Sequence, residues 1–109
     1  MFETLIQKLQ EDKYLTLETT PQHEPSMHNI IERIKKFKLQ DRVDGFSCTD
    51  NPLAKLKYNA LFASLKLQME FKKPVIATMS MRDRNKIALQ SDLMAANDFD
   101  VRAILALTG

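Results

Sequence analysis

The chain contains few of the residues that form disulfides, metal sites and flexible linkers. Its 109 residues include one cysteine, two glycines and four prolines. The single Cys48 excludes an internal disulfide and offers no zinc-ligand spacing, which fits a reducing cytoplasm. Because glycine and proline are scarce, no flexible linker is visible. We therefore expect residues 1–109 to form one domain, of a length that can bury a modest core.

Strong charge and long apolar runs are also absent. The 16 basic and 14 acidic residues give a net charge of +2, which is too balanced to indicate nucleic acid or an anionic membrane as a partner. No apolar run approaches the length of a membrane span. The first residues, Met1 to Thr4, lack the basic segment and apolar run of a signal peptide. These observations favour a globular cytoplasmic protein.

Hydrophobic periodicity predicts an N-terminal helix followed by four strands that alternate with three helices. Ser26, the pair Asn51–Pro52, and either Asp83 or Asn85 have the chemistry of helix starts. The predicted helices are 2–11, 27–37, one opened by Asn51–Pro52 with Leu53, Leu56, Ala60, Ala63 and Leu67 on its apolar face, and one from Asp83 or Asn85 to about 96. The predicted strands are 14–18, 43–49, 75–79 and 102–107.

The spacing of these strands indicates an α/β fold. Leu15, Asp44, Val75 and Ala103 occupy corresponding strand positions and recur roughly every 30 residues. An eight-fold barrel of about 250 residues repeats at about that interval. We therefore predict parallel (β/α) units of the TIM-barrel type, about half a barrel: four strands, three crossover helices and an N-terminal helix. A small doubly wound sheet fits the same spacing and remains the alternative.

Alternation along the strands predicts where polar side chains gather. The small or polar face of each strand ends in a hydroxyl or carboxyl group, so Glu18, Thr49, Thr78 and Thr108 should converge on the C-terminal rim, where α/β barrels bind ligands. Any single threonine there has a structural alternative, since threonine is common in strands. Glu18 is the sharpest candidate: a carboxyl at the end of an apolar strand is poorly solvated and would suit a proton donor.

Two histidines and an Arg-Asp-Arg segment are further candidates, for a metal site and a phosphate site respectively. His23 and His28 lie in a loop and a helix start without a third ligand at suitable spacing, so we predict no metal site. Arg82, Asp83 and Arg84 precede the last helix. They have two open interpretations, binding a phosphate or pairing with each other and capping that helix.

Four segments together resemble the methylenetetrahydrofolate reductase family, across about residues 14–109. The third and fourth are the most specific of the four. They are LTLETTP at 15–21, DGFSCTDNP at 44–52, RDRN at 82–85 followed by LQSDL at 89–93, and ILALTG at 104–109.

The resemblance implies an oxidoreductase of one-carbon metabolism and methionine biosynthesis, built as a flavin-dependent (β/α)8 barrel. Members of the family pass a hydride from NAD(P)H through FAD to 5,10-methylenetetrahydrofolate, giving 5-methyltetrahydrofolate. A folate is therefore the implied substrate, and FAD and NAD(P)H are the implied cofactor and reductant.

The resemblance also implies roles for the rim residues. Glu18 matches the glutamate that acts as general acid on the folate, and would protonate the ring nitrogen that leaves as the bridging methylene becomes an iminium. Thr49 matches a flavin-contacting threonine, and Thr78 lies where the third strand meets the flavin. Thr108 and Gly109 match the start of a strand-end segment that continues Gly-Asp in the family, where the aspartate lies near the flavin and tunes it.

Half a barrel has consequences of its own. Its open parallel edges favour association, so we expect a homo-oligomer. We also expect that the chain is the N-terminal half of a longer barrel and is inactive alone. Two other hypotheses remain: a non-catalytic half-barrel that acts through association with itself or a partner, and a small doubly wound binding module.

Overall fold

The computed structural model describes residues 1–11 and 13–108. Helix α1 comes first, and four strands then alternate with three helices, as predicted. The elements are α1 Phe2–Gln10, β1 Thr16–Thr19, α2 His28–Lys36, β2 Gly45–Cys48, α3 Ala60–Phe71, β3 Val75–Ser80, α4 Lys86–Asp98 and β4 Ile104–Leu107.

The four strands form one parallel sheet in the order β1-β2-β3-β4. The sheet is not closed. A doubly wound sheet reverses its strand order at a switch point, whereas a barrel adds each strand beside the preceding one. The fold is therefore α/β with a partial TIM-barrel-like sheet, and the doubly wound alternative is wrong.

One side of the sheet packs against the helices, and we call it the helix-covered face. Its centre is Phe46, whose ring lies 5.2 Å from that of Phe71 in α3. Burial of Cys48 on this face raises the pKa of its thiol, which therefore stays protonated and unreactive. The side chains of the helix-covered face are Leu17, Thr19, Phe46, Cys48, Val75, Ala77, Met79, Ile104 and Ala106.

The predicted start of α3 is wrong. Asn51 has a left-handed backbone (φ 42°), and Pro52 opens a short 3-10 turn instead of an α-helix. Leu53, also at positive φ, is 87% exposed and not on a buried stripe. The helix begins at Ala60 and is capped by Asn59, whose Oδ1 accepts from the amide of Phe62 at 3.0 Å.

Helix α2 keeps most of its predicted pattern. Ser26 Oγ accepts a hydrogen bond from the amide of His28 at 3.0 Å, and Met27 and Ile34 are buried. Phe37, the predicted last residue of this helix, is exposed, because the helix ends at Lys36 and the chain turns there.

Helix α1 lies at the end of the sheet where the strands begin. The amino group of Met1 is 3.0 Å from Asp100, which precedes β4, and Lys8 is 3.8 Å from Asp44, which precedes β2. Both ion pairs are exposed enough to contribute little. Among residues 1–11 and 13–108, no helix has the length and apolarity to cross a membrane.

Gly45 at the start of β2 is required by a close approach of two neighbouring groups. A Cβ atom placed there would lie 2.3 Å from the Tyr14 hydroxyl and 2.4 Å from the carbonyl oxygen of Pro74. The Tyr14 hydroxyl is itself buried, without a hydrogen-bond partner in the described part of the chain. Burial, followed by the negative charge of Asp44, raises the pKa of Tyr14 to about 12.

We predict that Gly45→Ala destabilises the protein by about 1–3 kcal/mol, because the backbone of Pro74 has to move to admit a methyl group. Denaturant unfolding measures this change. Ser47→Ala, on the same strand, is the control, and its free energy of unfolding should change by no more than about 0.5 kcal/mol. Equal stability of Gly45→Ala and the unsubstituted protein would contradict the close approach.

We predict that stability falls between pH 10 and about 12. The folded protein holds the proton of Tyr14 more tightly than the unfolded chain does, so the stabilisation is complete below pH 10 and is lost as pH rises through the raised pKa. In a Tyr58→Phe background, absorption titration follows Tyr14 alone. A midpoint near 10 would refute this prediction.

Candidate functional site

The carboxyl ends of the four strands lie along one edge of the sheet, called the rim here: residues 18–20, 48–51, 78–84 and 107–108. The side of the sheet opposite the helix-covered face is called the inner face. Its side chains, given by the strand register, are Thr16, Glu18, Ser47, Ile76, Thr78, Ser80, Leu105 and Leu107.

Thr49 and Thr78 are neighbours on the inner face. Cys48 pairs with Ala77, so the next residues along both strands stand side by side. Adjacent strands are about 4.8 Å apart. The amide of Thr49 continues the ladder by donating to the carbonyl of Thr19 at 3.1 Å, which fixes the strand beyond its last paired residue. The predicted proximity of these two threonines is confirmed.

Glu18 lies on the same face, closer to the start of the strands than these threonines. It pairs with Ser47, two residues before Thr49, which corresponds to about 6.6 Å along the strand. Glu18 also borders a cleft of about 230 Å³ between β1 and α2. Its predicted poor solvation is wrong: the side chain is exposed, because β1 is at the edge of an open sheet.

Thr108 does not share the face of the other three residues. Leu105 pairs with Thr78 and Leu107 with Ser80, so these two leucines occupy the inner face. Ala106 pairs with Met79 on the helix-covered face, and Thr108 follows the same alternation. The expectation that all four polar residues are in phase is therefore wrong for Thr108. Gly109 lies outside the described residues.

The hydroxyl of Thr49 is buried and has no hydrogen-bond partner within the described residues. Three other buried side-chain atoms share this condition, but they lie away from the rim: Tyr14 Oη, Gln40 Oε1 and Gln68 Oε1. A buried hydroxyl without a partner costs free energy that a bound ligand can recover. The neighbouring Thr78 is 7% exposed.

The arginines before α4 form ion pairs within the chain. Arg84 Nη1 is 2.5 Å from Asp50 Oδ2, and its Nε donates to Asp92 at 3.2 Å. The hydrogen bond to Asp50, more than any other contact, raises the pKa of Arg84. Arg82 pairs with Asp83 at 2.9 Å. The predicted pairing within the segment is therefore confirmed for Arg82 and Asp83, whereas Arg84 pairs with carboxylates outside it.

Helix α4 is capped by Asn85 and not by Asp83. Asn85 Oδ1 accepts from the amide of Ala88 at 2.8 Å. His23 and His28 are both exposed. Across residues 1–11 and 13–108, no three or more histidine, cysteine or acidic side chains are grouped to hold a metal ion.

Sequence reasoning missed the role of Asp50. The residue was visible within the DGFSCTDNP segment, but no function was assigned to it. A signal was present, since an acid follows β2 and two arginines follow β3 at the same edge of a parallel sheet. Opposite charges at the ends of neighbouring strands predict a pair, but only the structure shows which arginine reaches Asp50.

Comparison with known proteins adds one positive finding. A family model described as "Methylenetetrahydrofolate reductase" matches residues 2–109. Searches of the curated proteins and of the solved structures found no match. The matched range includes all four strands and every rim residue discussed above.

Proposed function

Since this chain belongs to the methylenetetrahydrofolate reductase family, we propose that it takes part in reduction of 5,10-methylenetetrahydrofolate to 5-methyltetrahydrofolate. Membership makes it an oxidoreductase of this type and implies that it binds a folate. The finer assignments, FAD as cofactor, NAD(P)H as reductant and a cytoplasmic location, are part of the proposal. The free, buried Cys48 is compatible with a reducing compartment.

The observation that carries the proposal is the inner face at Thr49 and Thr78. The two side chains stand next to each other, and the Thr49 hydroxyl is buried without a partner. A flavin ring presents hydrogen-bond acceptors and donors along its edge, so these residues fit it. They would bind the ring by hydrogen bonds and hold it against the sheet. For Thr108 we propose contact through its backbone, since its side chain follows the other face.

FAD, when bound, supplies the hydride-transfer chemistry that the side chains of this chain lack. Glu18 would hold the proton needed by the folate. It sits on the same face as the two threonines, about 6.6 Å lower along the strands, and is open to an incoming ligand. A folate bound beside Glu18 would exclude water from its carboxyl group.

We further propose that residues 1–109 are the N-terminal half of a barrel. Leu105 and Leu107 point from the inner face and are 52% and 47% exposed. Strands β1 and β4 are both open edges. Further parallel strands would cover these groups, and open edges also favour a homo-oligomer. Association without catalysis is the second candidate function, and exposed Leu105 and Leu107 are the observation that favours it.

We predict that the protein binds FAD and that Thr49→Val weakens binding about 2- to 10-fold, because it removes one hydrogen bond. Flavin fluorescence quenching during titration measures the dissociation constant. Thr16→Val is the control, since Thr16 occupies the same face at the far end of β1. A protein that binds no FAD, but dimerises, would favour association instead.

We predict that, in the complete barrel, Glu18→Gln leaves NAD(P)H-driven flavin reduction intact and lowers folate reduction by about 100-fold or more, the range of general acid catalysis. Stopped-flow absorption follows the two half-reactions separately. The amide keeps the shape of the side chain but cannot supply the proton. Unchanged folate turnover would remove Glu18 from this role.

A further inference from the structure

Asp50 accepts more hydrogen bonds than any other carboxylate at the rim. Its Oδ2 accepts from the backbone amide of Ser80 at 2.8 Å and from Arg84 Nη1 at 2.5 Å, while Oδ1 accepts from Asn51 at 3.3 Å. Arg84 Nη1 also donates to the carbonyl of Ser80 at 3.0 Å. Asp50 and Arg84 therefore both hold the last residue of β3, from a loop that follows β2 and a loop that precedes α4.

This pair differs in burial from the other ion pair of the described residues at the same distance, Lys35 and Glu70. The side chains of Asp50 and Arg84 are 2% and 12% exposed. Lys35 and Glu70 are also 2.5 Å apart, but their side chains are 44% and 39% exposed and join α2 to α3. An exposed pair contributes little, whereas removing one partner of a buried pair leaves a charge without compensation.

The location of Asp50 links it to the two threonines. Asp50 directly follows Thr49, and Ser80 comes two residues after Thr78. The hydrogen bond from the Ser80 amide to Asp50 therefore connects the end of β2 to the end of β3 and fixes their relative position. A second bond reinforces it, since Arg82 Nη2 donates to the carbonyl of Asn51 at 3.0 Å.

Arg84 extends this connection to α4. Its Nε donates to Asp92, in the second turn of the helix that Asn85 caps. The guanidinium is thus engaged by Asp50, by Ser80 and by Asp92, with a planar fork that a lysine could not reproduce. The same contacts occupy the cation that would otherwise be free to bind a phosphate.

We propose that Asp50 and Arg84 are positioning residues that set the separation and orientation of Thr49 and Thr78 for the flavin. The inference rests on the proposed function. Neither residue has to touch the cofactor: Asp50 acts through the backbone of Ser80 and through its chain neighbour Thr49. A substitution in the pair should therefore change the affinity for the flavin and its absorption band, and not only the free energy of unfolding.

The test uses Asp50→Asn in the full protein, with two controls. Val75→Ala lowers stability by opening a cavity at the far end of β3, and Glu70→Gln removes the other 2.5 Å ion pair by the same chemical change. We expect Asp50→Asn to raise the FAD dissociation constant about tenfold, equivalent to about 1.4 kcal/mol, and to shift the flavin absorption band. Both controls should bind FAD as the unsubstituted protein does.

A second readout needs no cofactor. In the ligand-free protein, Asp50→Asn should shift the methyl resonances of Thr49 and Thr78, while Glu70→Gln should not. If the unsubstituted protein binds no FAD, the proposed function fails, and these resonances alone decide the positioning role. Unshifted resonances, unchanged FAD binding by Asp50→Asn, or an equal loss of FAD binding in Val75→Ala would each overturn the inference.

Discussion

Parallel pairing of the strands in chain order is the constraint on which the rest of this structure depends. Each crossover segment has to return to the start of the next strand, so its helix packs on one side of the sheet. The inner face is left uncovered by these helices. All four strands then end at the same edge. Strand alternation alone decides which side of the sheet a side chain occupies. It places Phe46 and Ala77 in the core, and Thr49 and Thr78 on the opposite face at the rim.

The two ends of the sheet are held by different kinds of interaction. Where the strands begin, Tyr14 and Pro74 close around Gly45, and the contacts of α1 are exposed ion pairs. Where they end, a buried carboxylate and guanidinium join two loops and a strand. Loops at the carboxyl ends of barrel strands carry function. The buried ion pair there restricts the conformations of these loops without a covalent bond.

Much of the fold could be predicted because its strands alternate and recur at a regular interval. Glu18, Thr49 and Thr78 were assigned to one face correctly, since apolar and small or polar residues alternate around them. The face of β4 could not be predicted in this way. Its residues, Ile104 to Leu107, are all apolar, so the register with β3 alone places Leu105 beside Thr78.

Local sequence chemistry failed where the surrounding structure overrode it. Asn51 followed by Pro52 has the composition of a helix start, but the left-handed conformation of Asn51 serves the loop in which Asp50 and Asn51 bond to β3 and Arg82. Solvation of Glu18 depends on whether the sheet edge is covered, which no residue near Glu18 reveals. The partner of Arg84 lies 34 residues away in the chain, so the charges at the strand ends predict a pair there but not which arginine forms it.

The most direct test of the central claim is a crystal structure of the protein with FAD bound. We expect the flavin ring against the inner face, within hydrogen-bond distance of Thr49 and beside Thr78, with the carboxyl group of Glu18 on the side open to the folate. A flavin bound on the helix-covered face, or at the end of the sheet occupied by Tyr14 and α1, would contradict it.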